Sequence, residues 1–147
     1  MSLLNPPAYK ETKSRAMPFT IAALSIVAII LLWWTFRFYP ETHVARKFFD
    51  AVVAGDLPTA YAVWKPGPSY RMQDFEADWG PAGYYGPVKS YAIAKAVSRP
   101  NSSGIAVTVN VSPFTPMPDK NDVEKSQKTK TIELWVEKKD KSISFAP

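Results

Sequence analysis

The chain has 147 residues, which is enough for one small domain with an accessory segment. It contains no cysteine, and this excludes disulfide bonds, thiol catalysis and cysteine-based zinc or iron–sulfur sites. The formal net charge is +5, but the basic residues are spread along the chain. Binding to nucleic-acid phosphates requires basic residues concentrated on one face, so we expect no nucleic-acid partner.

The first predicted element is an apolar helix near the start of the chain. Residues 17–36 read "MPFTIAALSIVAIILLWWTF" and contain no charged side chain. Such a helix is about 30 Å long, which matches the hydrocarbon thickness of a bilayer. A small soluble domain has no second layer to cover a helix that is apolar on every side. The sequence therefore predicts a single transmembrane helix over residues 17–39, with membrane lipid as a partner.

Aromatic residues and one arginine end this predicted helix. Residues of this kind collect at the headgroup level of a membrane, where the rings are amphipathic and an arginine extends its charged group to water. The predicted membrane-interface residues are Trp33, Trp34, Phe36, Arg37 and Tyr39.

The charges that flank the helix bear on its orientation. Lys10, Lys13 and Arg15 precede it, and further basic residues follow it within residues 37–47. The positive-inside rule therefore favours a cytoplasmic N-terminus by a small margin. We expect residues 1–16 to be a cytoplasmic tail and residues 40–147 to be a periplasmic or extracellular domain of a single-pass inner-membrane protein.

A cleaved signal peptide is the alternative to an anchor. Signal peptides have an apolar core of about 7–15 residues and end in a cleavage site of small residues. The segment here is longer and ends in bulky aromatic residues, which favours an uncleaved anchor.

Three amphipathic helices are predicted after the span. The first begins after a cap at Thr42 and ends at Gly55, and its apolar residues recur at helical spacing. The second covers residues 58–64. The third lies within "SYRMQDFEADWG", where Met72, Phe75 and Trp79 share one face.

The periodicity then changes to two, which predicts strands. "VKSYAIAKAV" places Tyr91, Ile93 and Val97 on one face, and "GIAVTVNVS" alternates in the same way. Residues 113–128 are rich in proline and charge and predict a long mobile connection, which two further strands follow. We therefore predict an α+β fold, in which about three helices pack on a curved antiparallel sheet of about four strands.

The run "ARKFFDAVVAGDLPTAYAVW" contains the pattern A-x-x-F-F-x-A-x-x-x-G-D and precedes a third helix and a strand meander. In this order of elements, residues 41–147 resemble the nuclear-transport-factor-2-like superfamily, which has a cystatin-like α+β fold. They are most similar to its small membrane-anchored or lipoprotein members in bacteria. The resemblance implies a cone-shaped domain. In those members of the superfamily that are enzymes, the cone encloses acid or base residues. No functional motif of the superfamily carries over to this chain.

Candidate catalytic and metal-binding residues are few. His43 is the single histidine and is expected to be a solvated linker residue, because one histidine makes neither a triad nor a metal site. In the acidic group, Asp74 and Asp78 share a helical face while Glu76 points elsewhere, which is a poor shape for a cation site. We therefore expect no catalytic, cofactor or metal site, and a protein that is not an enzyme.

The tyrosines and two tryptophans allow two interpretations. Large aromatic residues usually anchor the core of a small domain. Alternatively they line an apolar cleft, in which a tyrosine and a carboxylate act as in an isomerase. The core interpretation is favoured for Tyr61, Tyr70, Tyr84, Tyr85, Tyr91, Trp64 and Trp79.

The predicted function is a non-catalytic interaction module or a small accessory subunit of a larger membrane complex. The turn "WGPAGYYGPV" is rich in residues typical of interfaces, and a small-residue stripe in the span could seat a neighbouring helix. Other membrane-protein subunits are the expected partners. The predicted partner-binding residues are Trp79, Tyr84 and Tyr85 in the turn and Ala22, Ser25 and Ala28 in the span.

Two other functions remain open at this stage. The cone could bind a small apolar ligand or act as an enzyme. Alternatively, the lysine-rich run "EKSQKTK", for which a solvated loop is the favoured interpretation, could sense anionic lipid at the membrane surface.

Overall fold

The computed structural model describes residues 16–147, and the chain divides into two units between Arg37 and Phe38. The predicted cytoplasmic tail, with Lys10, Lys13 and Arg15, lies outside the described residues except for Ala16.

The first unit is one apolar helix, α1, which covers Ala16–Phe36. Its 21 residues extend for about 30 Å, and side chains on every side of it are exposed, such as Leu24 at 70% and Ile30 at 56%. It is the one helix in the described chain that is long and apolar enough to cross a membrane. The helix ends at Phe36, so Tyr39, which was predicted to end the span, belongs to the next helix.

The hydroxyl groups of α1 are satisfied within the helix. Thr20 Oγ1 donates to the Met17 carbonyl at 2.9 Å, and Ser25 Oγ donates to the Ile21 carbonyl at 2.8 Å. Thr35 makes the same kind of bond one turn back along the chain. A polar group without a partner is costly in hydrocarbon, and these bonds remove that cost.

The second unit begins with three helices: α2 (Tyr39–Val53), α3 (Leu57–Trp64) and α4 (Met72–Trp79). The predicted cap at Thr42 is wrong, because Thr42 lies inside α2 and its hydroxyl bonds to the Phe38 carbonyl. Pro40 in the first turn needs no hydrogen-bond acceptor, so the helix starts earlier than Thr42.

Four antiparallel strands follow in the order β1-β2-β3-β4, which confirms the predicted α+β class. They are β1 (Ser90–Ser98), β2 (Gly104–Ser112), β3 (Lys130–Glu137) and β4 (Ile143–Phe145). The connection between β2 and β3 also contains a short helix, α5 (Val123–Gln127). Asp122 caps α5 by accepting the Lys125 N–H, a local signal within the predicted connection.

One face of β1 was predicted wrongly. The pairing of β1 with β2 shifts between Ile93 and Lys95, where β1 carries an extra residue. Such a bulge moves every later side chain to the opposite face. Ala96 therefore packs against the core, whereas Val97 is 43% exposed.

The core of the second unit lies between the helices and one face of the sheet. Aromatic side chains dominate it, and Phe48 contacts Phe49, Trp64, Phe75 and Trp79. Aliphatic residues of β2 and β3 complete it, including Val107, Val109, Ile132, Leu134 and Val136.

Candidate interaction surface

The segment after α4 carries two of the predicted partner-binding residues in an ordered turn. We call residues 79–86 the aromatic turn. The Tyr84 N–H donates to the Ala77 carbonyl at 2.9 Å, and the Tyr85 N–H donates to the Asp78 carbonyl at 2.8 Å. Carbonyls in the last turn of a helix have no partner within it, so the aromatic turn caps α4 and is fixed by it.

Two glycines allow this close approach. A β-carbon at Gly83 would lie 2.8 Å from the Asp78 carbonyl oxygen, and one at Gly86 would overlap the Gly80 carbonyl. Any larger residue would therefore have to move the backbone that presents Tyr84 and Tyr85.

The three predicted residues of the aromatic turn lie at different depths. Trp79 is only 2% exposed, which confirms the favoured core interpretation and leaves it no exposed surface with which to bind a partner. It is the last residue of α4 and lies on the core face with Phe75. Tyr85 is half-buried and stacks on Trp79 with ring centroids 4.9 Å apart. Tyr84 is 70% exposed, so the core interpretation is wrong for this residue.

Two residues that the sequence analysis did not select complete this surface. The ammonium group of Lys130 lies 4.7 Å from the centre of the Tyr84 ring and also donates to the Tyr84 carbonyl. Phe145 of β4 packs on Tyr85 at 5.7 Å. Both are far from the turn in sequence and come to it through strand pairing, so no local pattern could have found them.

The acidic group of α4 has structural partners. Asp74 accepts the Arg71 N–H at 3.0 Å at the start of the helix, and Asp78 accepts the Tyr70 hydroxyl at 2.6 Å. Burial, and next the bond to Asp78, raise the pKa of Tyr70 above its usual range. The nearby indole N–H of Trp79 acts in the opposite direction and lowers the pKa of Tyr70. Within the described chain, this N–H has no acceptor in hydrogen-bonding geometry.

A second tyrosine–carboxylate pair joins the sheet to α2. The Tyr91 hydroxyl donates to Asp50 Oδ1 at 2.6 Å. Burial, followed by this bond, raises the pKa of Tyr91 to about 12. Both phenols therefore stay protonated at neutral pH and act as hydrogen-bond donors that tie elements together.

An open groove is lined mainly by residues of α2 and α3. Its volume is about 620 Å³, and its lining includes Lys47, Lys65 and Lys141. Lys141 Nζ lies 2.7 Å from Glu41 Oε1, and Glu41 is only 6% exposed. The other residues that line the groove are Val44, Pro58, Thr59, Ala62 and Val63.

The predicted residues of α1 are accessible. Trp33 and Trp34 are 66% and 65% exposed, and the Arg37 guanidinium lies 5.4 Å from the centre of the Trp34 ring. Ala22, Ser25 and Ala28 are also exposed.

Two lysines of the lysine-rich run lie close to an aromatic ring. The ammonium groups of Lys125 and Lys128 lie 5.9 Å and 5.7 Å from the centre of the half-buried Phe114 ring. Lys125 also pairs with Asp122 at 3.1 Å. This segment is therefore more ordered than the mobile connection that was predicted.

His43 is exposed and stacks on Tyr39 with ring centroids 5.7 Å apart. It lies within α2, so the prediction of a linker residue is wrong. Within residues 16–147, no group of three histidine, aspartate or glutamate side chains is arranged to hold a metal ion.

Comparison of the chain with protein-family models, with curated proteins and with solved structures found no match.

Proposed function

We propose that this protein is a non-catalytic, single-span membrane protein whose second unit is a protein-interaction module, acting as an accessory subunit of a larger membrane complex. Tyr84 carries the proposal. Its ring is 70% exposed, yet its backbone is bonded to α4 and its ring is held by Tyr85 and Lys130. A rigid, exposed tyrosine loses little conformational entropy on binding, and tyrosine is enriched among residues that dominate interface energies.

The proposed anchor is α1, and its support is chemical. Its side chains are apolar and exposed on every side, and its hydroxyls bond within the helix. Lipid can cover such a helix without leaving a polar group unsatisfied. We place residues 1–16 in the cytoplasm and the second unit in the periplasm or outside the cell, in keeping with the translocation of long C-terminal domains.

A neighbouring membrane helix would pack on Ala22, Ser25 and Ala28. Small side chains let two helix backbones approach closely, and this approach drives association in lipid. The Ser25 hydroxyl is already bonded to Ile21, so the contact would depend on packing alone.

The second unit is also proposed to be a nuclear-transport-factor-2-like domain of the bacterial, membrane-anchored kind. Its order of helices and strands supports this. The alternative, a ligand-binding or enzymatic cone, has weaker support because Phe48, Phe75 and Trp79 fill the space between helices and sheet. A small apolar ligand would instead fit the groove between α2 and α3.

Photocrosslinking in intact membranes tests the interaction. A photoreactive phenylalanine analogue replaces Tyr84 in the full chain, and the same analogue at Val97 on the opposite face of the sheet is the control. We expect one discrete protein adduct from position 84 and none from position 97. Equal labelling from both positions, or no adduct from position 84, would rule out this interface.

A further inference from the structure

Two lysines and the aromatic turn enclose a small hollow on the described surface. Its lining includes Lys128 and Lys130 together with Tyr85, Gly86 and Pro87. Its volume is about 130 Å³, which suits one small polar group better than a drug-sized ligand. The remaining lining residues are Val111, Ser112 and Pro113, so no carboxylate faces the lysines inside it.

Both lysines are held in place by aromatic rings. Lys130 lies over Tyr84 and Lys128 lies over Phe114, with the ammonium groups 4.7 Å and 5.7 Å from the ring centres. Neither lysine has a carboxylate partner within residues 16–147. Surface ion pairs are usually weak because long side chains must be ordered to form them. The aromatic rings already order Lys128 and Lys130 in part, so less further ordering is needed when a partner binds.

The hollow adjoins the proposed interface, because Tyr85 lines it and Lys130 contacts Tyr84. We propose that the protein partner presents an acidic segment to this surface, with one aspartate or glutamate carboxylate in the hollow between Lys128 and Lys130 while a neighbouring apolar group packs on Tyr84. This inference rests on the proposed function, and it specifies the chemistry of the partner.

An anionic membrane surface is the competing partner, and the local charge favours the peptide. Recognition of anionic lipid by charge requires a cluster of about four to eight basic residues. The segment from Asp119 to Lys130 contains four lysines, but it also contains Asp119, Asp122 and Glu124. Its net charge is therefore small, and the two fixed lysines at one hollow are the distinctive feature.

The test measures the Tyr84-position adduct in full-length chains that carry a second change. Lys128→Gln is the informative variant, because Lys128 lies over Phe114, whereas the lysine over Tyr84 is Lys130. Removing one such charge should lower the adduct yield two- to fivefold. Lys128→Glu should lower it more than tenfold, since a like charge would then face the acidic segment. Lys95→Gln, the same charge change on the far face of the sheet, should leave the yield unchanged.

The outcomes separate the two proposals. Loss of the adduct in the unmodified background would overturn the proposed function. An adduct whose yield is the same in Lys128→Gln, Lys128→Glu and Lys95→Gln would overturn only the acidic-segment proposal. Placing the photoreactive group at Lys128 itself tests the lipid alternative: labelling of phospholipid in place of the protein would contradict the acidic segment.

Discussion

Tyr85 stacks on Trp79 with ring centroids 4.9 Å apart and an angle of 29° between the rings. This contact joins the buried end of α4 to the exposed surface of the aromatic turn. Stability and partner binding are therefore expected to depend on different residues of the same short segment.

The first prediction compares Trp79 with Tyr84. Trp79→Ala removes a buried ring from the core and should lower the free energy of unfolding by about 3–5 kcal/mol. Tyr84→Ala changes an exposed side chain and should lower it by less than about 0.5 kcal/mol. Urea unfolding of the full chain in detergent, followed by circular dichroism, measures both. Equal destabilisation by the two variants would mean that Tyr84 belongs to the core.

The second prediction concerns the Tyr91–Asp50 hydrogen bond. The pKa of Tyr91 is about 12 in the folded chain and 10.0 in its usual state, so the fold favours the neutral phenol. This contribution is complete below about pH 10 and is lost as the pH rises from 10 through 12. The difference in unfolding free energy between the wild type and Tyr91→Phe should therefore be constant up to pH 10 and shrink above it. A difference that stays constant to pH 12 would contradict the raised pKa.

The third prediction concerns the ion pair between Lys141 and Glu41. Lys141→Met leaves the buried Glu41 carboxylate without its cation and should cost about 2 kcal/mol of unfolding free energy. Adding Glu41→Gln removes the buried charge and should recover more than half of the loss. Urea midpoints of the single and double variants measure this coupling. A double variant that is less stable than Lys141→Met alone would show that the unpaired Glu41 charge is not what destabilises the single variant.

The fourth prediction tests the bulge in β1. Ala96→Asp places a charge against the core and should destabilise the second unit by about 2 kcal/mol or more. Val97→Asp places the same charge on the exposed face and should cost less than about 1 kcal/mol. Thermal unfolding of the two variants decides between the faces. The reverse order of stability would restore the uninterrupted alternation that the sequence predicted.

The helices and the order of the strands could be predicted because their signals are local. Phe75 and Trp79 are four residues apart and share a helical face, and the valines of β2 alternate with small or polar residues. The sequence analysis favoured a core position for Trp79, and the burial of this residue confirms it. Trp79 was also selected as a partner-binding residue because it lies beside the glycine and tyrosines of the turn.

Other features depend on contacts between distant parts of the chain. The bulge near Ala94 is set by the pairing of β1 with β2, and its sequence alternates as regularly as an uninterrupted strand. Lys130 at the start of β3 contacts Tyr84, although the two residues are 46 positions apart in the sequence. The tyrosine–carboxylate pairs likewise required the fold, since the sequence analysis gave such a pair only as the less favoured alternative and did not select Tyr70–Asp78 or Tyr91–Asp50.

The location of the second unit at a membrane surface depends on whether α1 remains attached and lies in lipid. Native membranes are washed with alkaline carbonate, and the intact mass of the chain is measured in the pellet and in the supernatant. We predict the full-length mass in the pellet alone. A full-length chain in the supernatant, or a mature chain that begins near Phe38 in either fraction, would contradict the anchor.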